Sequence, residues 1–105
     1  MMLVTMGWAS NHTRLLKSGQ TVEIRPRGNS MEPRIKSGDT CVIRPIQHGE
    51  ELEVDNIVLC KVKGREYLHK IHAIDRGRYL IGNNKGHVNG WISINSIFGK
   101  LETTT

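Results

Sequence analysis

The chain has few aromatic residues: one phenylalanine, two tyrosines and two tryptophans make up 5% of its 105 positions. A surface that stacks unpaired bases needs aromatic rings interleaved with lysine and arginine, so this scarcity argues against a nucleic-acid partner. Cysteine is scarce too. Cys41 and Cys60 each sit inside an apolar run, with no CxxC spacing anywhere. Buried reduced thiols suit those places better than a disulfide or a metal site, and reduced thiols favour the cytoplasm. No apolar run approaches the roughly 20 residues needed to cross a bilayer. The start, Met1 to Trp8, is mildly apolar but has neither a basic flank nor a full apolar stretch. The expectation is a soluble chain without signal peptide or membrane anchor. Gly82 to Trp91 has no phosphate-binding spacing, and no cofactor or metal is expected.

What is present fits one small globular domain. The apolar fraction is 37%, the charged fraction 24%, and the net charge +5. At this length a single core is expected, spanning about residues 20–101, with 1–18 as an irregular N-terminal extension. Arg25 and Arg27, Lys61 and Lys63, and Arg76 and Arg78 recur at alternate positions. That is the spacing of solvated strand faces, so the positive charge reads as surface.

Periodicity predicts mostly β structure. Asn11 to Leu16 has the composition of a short helix. From Thr21, Val22 and Ile24 alternate with Glu23 and Arg25, a half-buried strand. Pro26 to Asn29 breaks it, and Ser30 to Lys36 forms a helical turn stopped by Gly38-Asp39. Thr40–Arg44 and Ile57–Val62 read as strands, the second joined to Glu66–Ile74 by a tight turn at Lys63-Gly64-Arg65. A turn at Asp75-Arg76-Gly77 leads to Arg78–Ile81. Gly82 to Gly90 reads as a loop, Trp91 to Leu101 as a strand or two, and Thr103–Thr105 as a frayed tail. Short strands at close spacing predict a small coiled sheet or partly open barrel.

Ser30 stands out chemically. Gly28 lets the backbone turn sharply before it, and a serine at the mouth of a helical turn lies beside free N–H groups that can form an oxyanion hole. A hydroxyl needs a base to become a nucleophile. His69, mid-strand between Leu68 and Ile71, is the candidate; its neighbour Lys70 points to the opposite face of the strand. Taken without further context, an N-cap serine and an ordinary strand histidine would explain both residues.

The order of segments adds to this. Gly28-Asn29-Ser30-Met31-Glu32-Pro33, followed by Ile35-Lys-Ser-Gly-Asp39 and a strand, resembles the nucleophile motif of the LexA-type and signal peptidase superfamily. Val54-Asp-Asn-Ile-Val-Leu resembles that superfamily's "GDIV" strand entry. Tyr67-Leu-His-Lys-Ile resembles its catalytic-base strand, and Leu80-Ile-Gly-Asn-Asn the strand and loop that follow. The matching segments run in family order from about Gln20 to Leu101.

The resemblance implies a mostly β domain of the LexA C-terminal or signal peptidase type that cleaves peptide bonds. Laid on the family's base strand, His69 rather than Lys70 takes the position of the base. Gly28, Asn29, Ser30 and Met31 are then the candidate oxyanion and substrate-binding residues. A neutral imidazole, with its reference pKa near ~6.5, is competent at neutral pH. The superfamily's histidine members carry an acidic "GDN" loop, which here reads Gly82-Asn83-Asn84, making Asn83 the candidate orienter of His69. Asp39 and Asp55 are the other candidate orienters, although both match turn positions, the role favoured for each.

There is no Ala-Gly or Cys-Gly dipeptide, the bond that self-cleaving repressors cut, so cleavage in trans of an extended segment of another protein is the implied activity. A catalytically degenerate domain that holds a peptide in the same groove is the second reading. Met31 is expected beneath the active-site turn, His72 on the face opposite His69, His12, His48 and His87 in exposed loops, and Trp91 as a core or edge anchor.

Overall fold

The computed structural model describes residues 9–105; the apolar start discussed above lies outside the described residues. Seven strands form one antiparallel sheet: β1 (Val22–Ile24), β2 (Cys41–Pro45), β3 (Ile57–Val62), β4 (Arg65–Asp75), β5 (Arg78–Gly82), β6 (Val88–Ser93) and β7 (Ile97–Thr104). Their order in the sheet is β1-β2-β7-β3-β4-β5-β6. The sheet does not close, so β1 and β6 are its edges and the mostly β expectation takes the open, coiled form.

Turn chemistry sets the pairing. Lys63 and Gly64 both have positive φ (50° and 82°), as do Arg76 and Gly77 (50° and 74°). Two consecutive left-handed residues match the right-handed twist of the flanking strands, so each pair closes a two-residue hairpin. Val62 thereby faces Arg65, and Asp75 faces Arg78.

β3 is apolar along nearly its whole length because it is covered on both faces. Ile57 and Leu59 join one cluster with Met31, Ile35, Ile43 and Leu68. Val58, Cys60 and Val62 join the other with Ile71, Ile81 and Ile92. Cys41 and Cys60 are free and buried, and burial pushes the Cys60 thiol up to about 12. Among the described residues no helix is long and apolar enough to cross a membrane.

Four expectations are corrected. The segment read as an irregular extension packs on the domain: the short helix expected over Asn11 to Leu16 forms as α1 (Ser10–Lys17), and its Leu16 is buried in the core. Leu16 can dock because β7 offers Gly99 there: a Cβ on Gly99 would stand 2.6 Å from Ile43 Cγ2 and 3.0 Å from Leu16 Cδ1. The start of α1 is held by Glu66 of β4, whose carboxylate accepts from the Ala9 N–H (3.3 Å) and the Ser10 hydroxyl (3.1 Å). An anion suits the positive end of a helix.

The threonine tail does not fray. β7 runs to Thr104, and Thr40 and Thr105 exchange two backbone bonds of 2.8 and 2.9 Å. β-Branched threonines fit a strand well once a partner lies beside them. The loop expected over Gly82–Gly90 ends early, since β6 starts at Val88. Trp91 takes the edge alternative expected of it, on strand β6 and 42% exposed. Finally, His12 lies half-buried in α1 instead of in a loop.

Candidate active site

After β1 the chain swings back on itself at Gly28, whose φ of 103° is open to glycine at no steric cost. Ser30 then opens a single helical turn, closed by the Ile35 N–H on the Met31 carbonyl at 3.0 Å. Met31 and Ile35 are buried and pin the turn to the core. Its far end is fixed by Asp39, whose carboxylate accepts the Lys36 N–H at 2.8 Å. Asp39 is a turn residue, as its Gly-Asp context suggests.

A second element braces the turn from above. The Asn84 N–H donates to the Ser30 carbonyl at 2.8 Å, and the Asn84 side-chain amide donates to the Glu32 carbonyl at 3.0 Å. The β5–β6 loop therefore holds the serine's own backbone.

His69 stands on β4, 8% exposed. Its ring lies 4.8 Å from that of Tyr67, centroid to centroid. Nε2 is 3.3 Å from Ser30 Oγ, although the two residues are 39 positions apart in the chain. Nδ1 is 2.7 Å from Asn89 Oδ1. An amide oxygen only accepts, so Nδ1 carries the proton and Nε2 presents its lone pair to the serine hydroxyl. Burial pushes the His69 pKa below the ordinary histidine value; nearby His87 and His72 push the same way, and the Asn89 hydrogen bond opposes them. The imidazole is thus kept in its neutral, proton-accepting form.

Lys70 turns away, as strand alternation requires, and its ammonium lies 3.7 Å from the Asp55 carboxylate. Asp55 itself sits in a turn with φ 76° and donates its N–H to the Ile71 carbonyl at 2.8 Å. It makes no hydrogen bond or ion pair with His69.

Asn83 is not the residue beside His69. Its side-chain oxygen accepts the N–H groups of Lys85 (2.8 Å) and His87 (2.9 Å), shaping the β5–β6 loop from within. Its carbonyl accepts from His72 Nε2 at 2.7 Å. Asn89, which sequence reasoning missed, occupies that place through a bulge. β6 pairs Val88 with Gly82 and Gly90 with Ile81, so Asn89 is the extra residue between them. A bulge frees one residue from the ladder and re-aims its side chain, here toward the imidazole. A similar irregularity at β4 leaves His72 unpaired between Ile71 and Ala73.

The oxyanion candidates divide. The Gly28 N–H is taken by Ser37 Oγ at 3.2 Å, and the Asn29 carbonyl accepts the Glu32 N–H at 3.2 Å. The N–H groups of Ser30 and Met31 bond no acceptor among the described residues. Both begin the helical turn, where donors are left over.

Serine and histidine face a cleft of about 810 Å³. One wall is the end of β1 and the bend after it, from Arg25 to Gly28; the other is β4 from Arg65 to His69. Both walls have a spare backbone edge. Among the described residues β1 pairs only with β2, and β4 gains its β5 partner only from Lys70 onward. Among the described residues no group of three His, Cys, Asp or Glu side chains is arranged to hold a metal ion.

An open antiparallel sheet with a serine and an imidazole converging in such a cleft defines a peptidase-fold module. The chain belongs to the Peptidase S24-like family, whose model matches residues 8–101. A search of curated proteins finds no match.

Proposed function

We propose that this chain is a serine peptidase domain that cuts peptide bonds in trans, with Ser30 as nucleophile and His69 as general base. The reading rests on the 3.3 Å approach of Ser30 Oγ to His69 Nε2 inside the cleft. That separation is slightly loose for a hydrogen bond, as is usual before substrate arrives.

The substrate is an extended segment of another protein. It lies between the spare edges of β1 and β4, adding a strand to the sheet. Nε2 of His69 takes the Ser30 proton as Oγ bonds to the scissile carbonyl carbon. The carbonyl π electrons move onto its oxygen, which the Ser30 and Met31 N–H groups stabilise; one such donor is worth roughly 3 kcal/mol. Collapse breaks the C–N bond, and the departing amine leaves with the proton from His69. Water then attacks the acyl-serine ester with His69 again as base, releasing the carboxylic acid and restoring the hydroxyl. Asn89 holds the ring and its tautomer throughout. Two free cysteines suit work in a reducing compartment such as the cytoplasm.

The second reading, a module that holds peptides without cutting them, draws on one observation: the group at His69 Nδ1 is an amide, not a carboxylate. Incubation with a complex peptide mixture, followed by mass spectrometry, separates the two. The peptidase reading predicts new termini that vanish with Ser30→Ala. Peptide retention by wild type with no new termini would favour the binding module.

A further inference from the structure

The cleft carries three arginines, Arg25, Arg27 and Arg65, and one carboxylate, Glu66. Two half-buried cations elsewhere are paired: Arg44 meets Glu50 at 2.6 Å and Lys70 meets Asp55 at 3.7 Å. The three cleft arginines have no ion-pair partner among the described residues, and residues 1–8 contain no aspartate or glutamate. Glu66 turns its oxygens to the Ala9 N–H and the Ser10 hydroxyl at the start of α1 and offsets at most one of the three positive charges, which leaves the cleft net cationic.

We propose that the cleft selects acidic peptide segments, with aspartate or glutamate side chains flanking the bond presented to Ser30. The inference deepens the peptidase reading and rests on it for the position of the scissile bond. Arg65 precedes His69 by four residues on β4, about 13 Å at strand spacing. Arg27 precedes Ser30 by three residues on the opposite wall. An extended peptide lying between these walls passes guanidinium groups within a few positions of its reacting carbonyl. Guanidinium groups bind carboxylates bidentately, and unpaired cations lining a cleft concentrate anionic ligands there. A nucleic acid is the less suited polyanion. Among the described residues Tyr67 is the one Phe, Tyr or Trp side chain lining the cleft, and it lies against His69, whereas strand binding relies on successive stacking platforms.

The test uses the Ser30→Ala protein, short fluorescein-labelled alanine-based peptides carrying glutamate, glutamine or lysine at the same positions, and a single-stranded oligonucleotide of equal charge. Fluorescence anisotropy should rank glutamate above glutamine above lysine, with the oligonucleotide weaker than the glutamate peptide. The preference should shrink as salt rises, since exposed charges are screened beyond about 8 Å at physiological ionic strength. Each of Arg25→Gln, Arg27→Gln and Arg65→Gln should weaken glutamate-peptide binding by about threefold, the size of one exposed charge pair. Arg78→Gln, at the other end of β4's hairpin, should not. Equal binding of the three peptides, or tighter binding of the oligonucleotide, overturns the inference. Hydrolysis by the unmodified protein is scored separately. Acid-selective binding without cleavage keeps the charge preference and removes the peptidase reading; cleavage without charge preference does the reverse.

Discussion

Asn89 Oδ1 lies 2.7 Å from His69 Nδ1, on the side of the ring away from Ser30. The amide fixes the tautomer but supplies no negative charge to offset the imidazolium that forms during attack. Asn89→Asp supplies that charge. It should raise the rate at neutral pH and move the acidic limb of the pH–rate profile upward, because a carboxylate favours the protonated ring. Asn89→Ala should slow turnover while leaving Ser30 in place. Steady-state profiles of the three proteins on one cleaved peptide check both.

In the unmodified protein, activity should fall only when the pH drops below the ordinary histidine value of 6.5, since burial lowers the His69 pKa. The same shift affects stability. Above 6.5 the ring is neutral in both folded and unfolded chains. Below it the unfolded chain takes up the proton first, so stability declines as pH falls toward the folded-state pKa. Replacing His69 by Gln should flatten that part of the stability curve, measured by urea unfolding at stepped pH.

A second acid-sensitive contact lies on the other half of the sheet. Arg44 donates to both oxygens of Glu50, at 2.9 and 2.6 Å, and holds that carboxyl at about 2, below its ordinary 4.5. A depressed carboxylate stabilises the fold above 4.5 and loses that contribution as pH falls to 2. Unfolding midpoints should therefore drop over this window in the native protein and drop less in Glu50→Gln.

Gly99→Ala should destabilise the domain by about 1–3 kcal/mol, the usual cost of an extra methyl group in a filled site. The new Cβ would meet Ile43 Cγ2 at 2.6 Å and the Arg44 carbonyl at 2.8 Å, with α1 packed on the same spot. Gly82→Ala acts on the site instead. Its Cβ would stand 2.4 Å from the His87 carbonyl and 2.7 Å from His72 Nε2, displacing the loop whose Asn84 braces Ser30. Activity should fall further than the loss of stability accounts for, which paired denaturation and turnover measurements will show.

Much of this was legible in the sequence because it depends on local chemistry. Gly28 before Ser30, the even alternation of β1 and the hairpin turns at Gly64 and Gly77 are settled within a few residues. The opposite facing of His69 and Lys70 follows from strand geometry alone. What escaped was set by distant partners. Asn83 and Asn89 are the same residue type in the same Gly- and Asn-rich stretch, and only the bulge between Val88 and Gly90 decides which one meets His69. Thr103 to Thr105 look like a tail until Thr40 and Val42 are placed beside them. The signal that could have found Asn89 was Val88 and Trp91, strand-forming residues on either side of it, which the glycines around them obscured.

The central claim is that His69 activates Ser30, and the rate of phosphonylation by a fluorophosphonate, followed by intact mass, tests it most directly. One adduct is expected on the native protein, located at Ser30 by peptide mapping. Its rate should fall by about 10²–10⁴ in His69→Ala, the usual worth of a general base, and stay unchanged in Lys70→Ala. A native protein that takes up no adduct, or a rate that survives His69→Ala but not Lys70→Ala, would contradict the account.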